Sequence, residues 1–271
     1  MTTRQALVLA RGLGTRMRAA DPQAKLTTEQ QHAAEAGMKA MMPIGGRPFL
    51  DYLLNAIADA GIERVGLVVA PVHHALAHNY ELETPPTRFE IQFVVQAEPR
   101  GTADAVLAAE QWTQGEPFLV MNGDNLYPAG VLRDLAALDE PGLPGFRRDE
   151  LVASSNIPDE RVASFALIEK DDQGFLTRIV EKPAAERFAQ AGDDALVSMN
   201  VWRFDRRIFQ ACRDVPLSAR GELELPGAVA LAVERGTTFR VIPAVGPVLD
   251  LSSRSDAVRL AERLEGVAVR L

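Results

Sequence analysis

The 271-residue sequence predicts an α/β fold, a mostly parallel mixed sheet with helices on both faces. Three observations carry that expectation. Strand and helix patterns alternate from the N-terminus to Asn122. The strand segments are mainly continuous apolar runs, as strands buried on both faces require. The turns after them are rich in glycine, asparagine and aspartate. The composition agrees, with 47% hydrophobic and 24% charged residues, enough for a sizeable core in a globular chain.

Gln5–Ala10 (QALVLA) is a short apolar run ending at a glycine-rich turn and reads as a buried strand. A long polar stretch, Arg18–Met38, follows, and its Gln/Ala/Glu-rich middle, Thr27–Glu35, suits a helix. From Pro48 to Ala60 apolar side chains recur at 49, 50, 53, 54 and 57, a helical period stopped by Gly61. Val65–Ala70 is a second buried strand, and Phe89–Val95 alternates as a third. Thr102–Trp112 reads as a helix with Thr102 as its N-cap. Phe118–Met121 is a fourth strand and ends at Asn122-Gly123-Asp124. Ligands of such sheets bind beyond the carboxyl ends of the strands, so Gly12 and Asp124 are expected to share one cleft.

In the second half, Ser164–Glu169 and Leu176–Val180 flank the hairpin signal Asp171-Asp172-Gln173-Gly174, and Glu181-Lys182-Pro183 follows directly. Val197–Phe204 reads as one strand and Glu224–Arg235 as a helix with Pro226 in its first turn. Phe239–Ala244 is a strand, and Ser253–Leu264 a helix opened by a capping box at Ser253 and Asp256. Gly142–Pro158 reads as a mobile loop able to approach a substrate, with Arg147-Arg148 as its surface charge. His73, His74 and His78 suit a solvated helix start, and Trp202 is either core or a sugar-stacking face. No composition break separates the halves, so a single domain is expected.

Lys plus Arg number 29 against 37 for Asp plus Glu, a net charge of −8, so no global basic field draws a nucleic acid polymer to the chain. The single cysteine, Cys212, leaves no intramolecular disulfide or multi-cysteine metal site, and its apolar context reads as buried and inert. Met1–Arg4 run straight into a strand without a signal-peptide layout, and no apolar run approaches the ~20 residues of a membrane span. No membrane partner and a cytoplasmic location are therefore expected. Only Lys25, Lys39, Lys170 and Lys182 are lysines, and a lysine in an arginine-rich chain marks a site that wants a compact ammonium.

The strongest local signal is Arg11-Gly12-Leu13-Gly14-Thr15-Arg16. Glycines there let backbone N–H groups approach an anion, and Arg16 adds a phosphate grip. The loop is neither the dinucleotide fingerprint G-x-G-x-x-G nor a P-loop, and taken alone it also suits an ordinary βα turn. It is followed by Gly37-Met38-Lys39-Ala40-Met41-Met42-Pro43-Ile44-Gly45-Gly46-Arg47-Pro48. Gln96-x-Glu98-Pro99-x-Gly101-Thr102, Asn122-Gly123-Asp124, Glu181-Lys182-Pro183 and Leu249-Asp250 come later. In this order the motifs resemble those of the sugar-1-phosphate nucleotidylyltransferases, also called NDP-sugar pyrophosphorylases, from residue 5 to about residue 260.

That resemblance implies a Rossmann-like fold of the nucleotide-diphospho-sugar transferase type. It implies one domain over 1–271, with a nucleotide-binding half (1–135) and a half carrying the sugar-phosphate site and the C-terminal helix (136–271). It implies that NTP and a sugar-1-phosphate react, with Mg²⁺, to give an NDP-sugar and pyrophosphate. Ala10, Arg11, Gly12, Gly14 and Thr15 would hold the nucleotide with Gln96, Gly101 and Thr102. Gln96 would meet the base by its amide and Gly101 through its backbone. Arg16 and Lys39 would neutralise the β- and γ-phosphates, and Asp124 and Asp250 would bind Mg²⁺. Glu181 would take the sugar hydroxyls, Lys182 the sugar phosphate, and Asn200 would line the sugar pocket; Arg16, Lys39 and Lys182 form the catalytic set.

The chemistry asks for such residues independently. Attack of a phosphate on the α-phosphate of an NTP brings two anions together, so neutralisation and positioning matter more than acid or base. Mg²⁺ takes one or two carboxylates and leaves its other positions to phosphate and water.

Three features depart from the family's pattern. Arg11 stands where alanine or glycine is usual, and stacking on the base, reaching a phosphate and pointing away all remain open. Met38 replaces a proline before Lys39. The 22 residues between Arg16 and Lys39 are about twice the common spacing, and a lid and a surface helix are equally open readings of this 17–38 insertion. Two other functions stay open: nucleotidyl transfer to another phosphorylated acceptor, and a non-catalytic nucleotide-sugar-binding regulator. A homo-oligomer is also left open. No hexapeptide repeat follows Leu264, so an acyltransferase tail is not expected.

Overall fold

The computed structural model describes residues 2–12, 14–19, 21 and 24–271. Four parallel strands form its first half: β1 (Gln5–Leu9), β2 (Arg64–Val69), β3 (Glu90–Val95) and β4 (Phe118–Asn122). They lie in the order β3-β2-β1-β4, with Leu7 opposite Gly66 on one side and Val120 on the other. β1 shows why its run is continuously apolar. Ala6 and Val8 enter a core with residues of helices Phe49–Asp59 and Ala129–Ala136, whereas Leu7 enters a second core with helices Thr102–Leu107, Arg207–Asp214 and Leu225–Glu234. Both faces of the strand are thus buried, and alternation would leave polar groups inside.

The second half adds β5 (Gly142–Arg147), β6 (Ala166–Lys170), β7 (Leu176–Val180), β8 (Leu196–Ser198), β9 (Val201–Phe204) and β10 (Arg240–Ala244). β9 pairs antiparallel with β4 and carries the same sheet onward as β4-β9-β5-β8-β6-β7, while β10 pairs parallel with β5. The sheet is parallel from β3 to β4 and mixed beyond β4. Among the described residues no helix is long and apolar enough to cross a membrane.

The structure corrects several local expectations. Gly142–Pro158 is not a loop: it forms β5 and a helix, Arg148–Ser154. Gly142 and Gly145 serve close packing instead of turning. A Cβ on Gly142 would lie 2.6 Å from Leu138 Cδ1 and 2.7 Å from Arg240 O, and one on Gly145 3.1 Å from Val241 Cγ1. Arg148 is structural, its guanidinium donating to both Asp159 carboxylate oxygens (2.8 and 2.7 Å) and lying over the Phe188 ring. Val197–Phe204 is two strands, broken at Met199-Asn200, where Asn200 is left-handed (φ 54°). The helix after the Gln96 motif ends at Leu107, and Gly101, not Thr102, is its N-cap residue. The Thr102 hydroxyl instead accepts from Leu225 N at 2.9 Å.

Trp202 is fully buried and stacked on Phe204, so it is core. The 17–38 segment is also core in part, which neither open reading anticipated. Helix Thr28–Ala36 has the capping box Thr27/Gln30, and Ala33 and Ala34 pack with Met17, Met42, Leu251 and Leu260. Arg254, on the C-terminal helix Arg254–Arg263, donates to Met17 O at 3.0 Å.

Candidate active site

The carboxyl end of β1 is stitched to both neighbours: Ala10 N donates to Val68 O and Gly123 N to Leu9 O, each at 3.0 Å. This sets the glycine loop beside Asn122-Gly123-Asp124. Within the loop Leu13 lies outside the described residues, while Gly12, Thr15 and Arg16 are exposed. Gly14 is left-handed (φ 61°), and a Cβ there would sit 2.5 Å from Gly37 O. Only glycine lets the glycine loop and the segment leading to Lys39 press together. That contact delivers Lys39 across the cleft, where its Nζ pairs with Asp124 Oδ2 at 3.0 Å.

Asp250 reaches the same place from 126 positions further along the chain. The two-residue strand Leu249–Asp250 pairs antiparallel with Asn125–Leu126, and Leu251 N donates to Asp124 O at 2.9 Å. Asp250 is buried, and Asn125 Nδ2 donates to its Oδ1 at 3.0 Å. Burial, and next the charge of Asp124, push its pKa above the ordinary aspartate value. The two carboxyl groups therefore feel one another. Tyr127, its phenol pushed up by burial and then by Asp124, donates to Met199 O at 2.8 Å and so ties this end to Asn200.

Among the described residues no three His, Cys, Asp or Glu side chains cluster for a metal. Two carboxylates brought to one place by the pairing of 249–250 with 125–126, one half-buried and one buried, fit the sparse oxygen donor set with which Mg²⁺ is held beside substrate phosphates. Asp124 and Asp250 would hold it.

Gln96 is buried, and its Nε2 donates to Gly101 O (3.1 Å) and Asp104 Oδ2 (2.8 Å). Gly101 (φ 121°) lies against the 218–224 loop, where a Cβ would meet Leu223 O at 2.4 Å. Ala103 N donates to Leu223 O, and Leu223 N to Arg100 O. Arg11 extends toward this motif: its Nη2 donates to Ala97 O at 3.1 Å, and its Nε and Nη1 are shielded without partners.

The 218–224 loop also reaches the other end of the site. Arg220 Nη2 pairs with Glu224 Oε1 at 2.6 Å. Burial raises the Glu181 pKa, the Glu224 charge adds to that, and Lys182 and Arg220 oppose it. Lys182 (φ 45°) and Asn200 (φ 54°) are both left-handed without being glycine, as is Gln114 (φ 53°) away from the site. The structure thus joins Asp124, Asp250 and Lys39 directly, and links Gln96, Gly101 and Thr102 to Glu181 and Lys182 through a loop that the sequence reading missed. Asn125, Asn156, Arg161, Arg220 and Glu224 were missed too. Their signal was adjacency to a motif for Asn125 and the Arg-Gly-Glu-Leu-Glu run for the loop; Arg161 had none.

A family model described as Nucleotidyl transferase matches residues 5–244. The chain belongs to the nucleotidyl transferase family. Among members of this family, the chain is 28% identical over 261 residues to the UTP–glucose-1-phosphate uridylyltransferase AglF of Haloferax volcanii, with 96% of each covered. It is 29% identical to a glucose-1-phosphate thymidylyltransferase of Streptomyces griseus, with 94% of this chain but 64% of that protein covered. Among solved structures it superposes on the inositol-1-phosphate CTP transferase from T. maritima with a TM-score of 0.71 at 19% identity, over 99% of each chain. A UTP-bound UGPase from Acinetobacter baumannii gives 0.70 at 19% identity, over 98% of this chain and 95% of that one. At that identity the likeness shows the fold, that of nucleotide-diphospho-sugar transferases. The nucleotidyl transferase family makes this chain an enzyme of that class.

Proposed function

We propose that this nucleotidyltransferase moves a nucleoside monophosphate from an NTP to a sugar-1-phosphate, with Mg²⁺, giving an NDP-sugar and pyrophosphate. The observation that carries the reading is Lys39 and Asp124 paired at 3.0 Å with Asp250 on the adjoining strand, at the edge where the glycine loop leaves β1. An oxygen of the sugar phosphate attacks the α-phosphorus. The bond from that phosphorus to the bridging oxygen breaks, and pyrophosphate leaves with the electron pair. Mg²⁺ held by Asp124 and Asp250 would supply neutralisation of the α-phosphate charge.

The chain's own groups do the rest. Arg16 and Lys39 take the leaving phosphates, and Lys182 takes the acceptor phosphate. Glu181 accepts hydrogen bonds from acceptor hydroxyls, with Asn200 beside them. Gln96 and Gly101 hold the base, and the bonds of Leu223 to Arg100 and Ala103 anchor the 218–224 loop on that motif. The relatives that act on glucose-1-phosphate with UTP or as thymidylyltransferases make glucose-1-phosphate with UTP or dTTP the first pairs to test.

The test is pyrophosphate release over a matrix of NTPs and phosphorylated acceptors, with and without Mg²⁺. Release that needs both substrates and the metal, and is lost in Asp124→Ala, supports the reading. Release that is indifferent to a sugar-1-phosphate overturns the acceptor assignment.

A further inference from the structure

The two carboxylates of the site are each held by a cation, but in different ways. Asp124 is held by Lys39, a single flexible ammonium that meets its Oδ2. Asp250 is held by Arg161, whose Nη1 donates to Asp250 Oδ2 at 2.5 Å and to Asp256 Oδ2 at 3.1 Å, while Nη2 donates to Asp256 Oδ1 at 3.2 Å. Asp256 is fully buried and is itself fixed as the capping residue of the C-terminal helix, accepting from Ser252 N, Ser253 N and Ser253 Oγ. The same segment grips the Asp250 backbone: Asn156 Nδ2 donates to Asp250 O at 2.7 Å, and Asp250 N donates to Asn156 Oδ1 at 2.8 Å. Residues 156–161 therefore form a bracket around Asp250, backbone at one end and carboxylate at the other.

We propose that Arg161 is a positioning residue, which holds the Asp250 carboxylate turned toward Asp124 and stays in place when the site is filled, whereas Lys39 is exchanged from Asp124 to the substrate phosphates. This rests on the metal assignment above. The physical argument is geometric. Asp124 and Asp250 repel one another, and Asp256 adds a third negative charge behind Asp250. A guanidinium fork anchored on Asp256 fixes the direction of Asp250, which an ammonium cannot do. Arg161 takes one position on Asp250 Oδ2 and Asn125 Nδ2 one on Oδ1, so each oxygen keeps a second lone pair for a metal. Lys39, unanchored on a longer, more flexible stem, is free to leave Asp124 when a metal takes that oxygen.

The two cations then act with opposite sign on metal binding, which simple electrostatics does not predict. Removing any nearby positive charge favours a divalent cation on Coulomb grounds alone. The experiment is Mn²⁺ binding to the full chain without nucleotide, followed by electron paramagnetic resonance of the free ion, with thermal unfolding as the check on folding. Lys39→Met is expected to bind Mn²⁺ more tightly than wild type. Arg161→Met is expected to bind it about tenfold more weakly, the usual size of losing a group that orients a ligand. Arg161→Lys keeps the charge but loses the fork and is expected to fall between wild type and Arg161→Met; it decides the matter if Arg161→Met does not fold.

Mn²⁺ affinity equal to or above wild type in Arg161→Met, or in Arg161→Lys where that variant decides, overturns the positioning role. Asp250→Asn separates the layers. If wild type binds Mn²⁺ and Asp250→Asn does not, the metal assignment stands and only the fate of the Arg161 variants judges this proposal. If Asp250→Asn binds as wild type does, the metal assignment falls and takes the proposal with it.

Discussion

The nucleotide end and the acceptor end of the site solve the same geometric problem with different residues. Where the chain bends left-handed at the nucleotide end, it uses glycine: Gly14 (φ 61°), Gly37 (φ 73°) and Gly101 (φ 121°). At the acceptor end two residues that bear side chains, Lys182 (φ 45°) and Asn200 (φ 54°), are left-handed as well as Gly221 (φ 74°) of the 218–224 loop. Glycine carries no strain there and brings backbone close to backbone, as at Gly14 against Gly37 and Gly101 against Leu223. Lysine in that region costs energy, asparagine costs less, and such positions persist where the surrounding structure holds them. The difference teaches that the nucleotide end works through backbone shape, and the acceptor end through what its side chains bear.

The two ends meet at the carboxylates, and the largest effect is expected there. Asp124→Ala should lower kcat/KM by about 10³-fold or more, because the charge it organises develops in the transition state. Its partly exposed side chain pairs with Lys39, so thermal unfolding should move little. Steady-state kinetics with calorimetry checks both, and near-wild-type turnover would remove Asp124 from the site.

Next comes the acceptor end. Lys182→Ala should raise the acceptor KM about 10–100-fold, the range for losing a charge-assisted contact, and the NTP KM far less. Lys182→Gly should show the same kinetic loss yet unfold at a higher temperature than Lys182→Ala, because glycine relieves roughly 1 kcal/mol of left-handed strain. If the two variants unfold together, the strain argument fails. If the NTP KM moves instead, Lys182 belongs to the nucleotide end.

At the nucleotide end the signs reverse. Gly14→Ala meets both a positive φ and backbone at 2.5 Å, so it should destabilise the chain by about 1–3 kcal/mol and raise the KM for NTP, with the acceptor KM unchanged. A neutral effect on unfolding and on NTP affinity would show that the close approach of Gly14 to Gly37 is dispensable.

The same contrast explains what was legible in the sequence. β1, the glycine loop, Lys39 and Asp124 could be read because their signals are local: an apolar run, a glycine turn, a strand end. Gly142, Pro144 and Gly145 misled, since a local reading takes them for turn formers. Their role is set by β10, whose first residue lies 98 positions after Gly142 in the chain and almost touches it. Asn200 hid its break inside an apolar stretch because asparagine tolerates the left-handed region without announcing it. Arg161 is one of 25 arginines, and nothing near it in the chain differs from a surface position. Its partners are 89 and 95 residues away, so only the folded chain shows it.

The smallest expected effect is a pH dependence that separates the two ends. Burial, then the neighbouring Glu224 charge, raise the Glu181 pKa above the ordinary glutamate value, with Lys182 and Arg220 pulling the other way. A glutamate raised in the folded state keeps its proton where the unfolded chain has lost it. Its contribution to stability therefore declines as pH rises from the ordinary glutamate range through the raised value. Function moves the other way. Glu181 accepts from acceptor hydroxyls through both oxygens and with its charge only when ionised, so the acceptor KM should rise as pH falls through that same raised value, while the NTP KM stays level. Glu181→Gln keeps the side chain's size and removes the proton, so it should flatten the acid limb of the acceptor KM and make unfolding less sensitive to pH in that window. An acid limb unchanged in Glu181→Gln would assign the proton to another group and leave Glu181 as a neutral wall of the pocket.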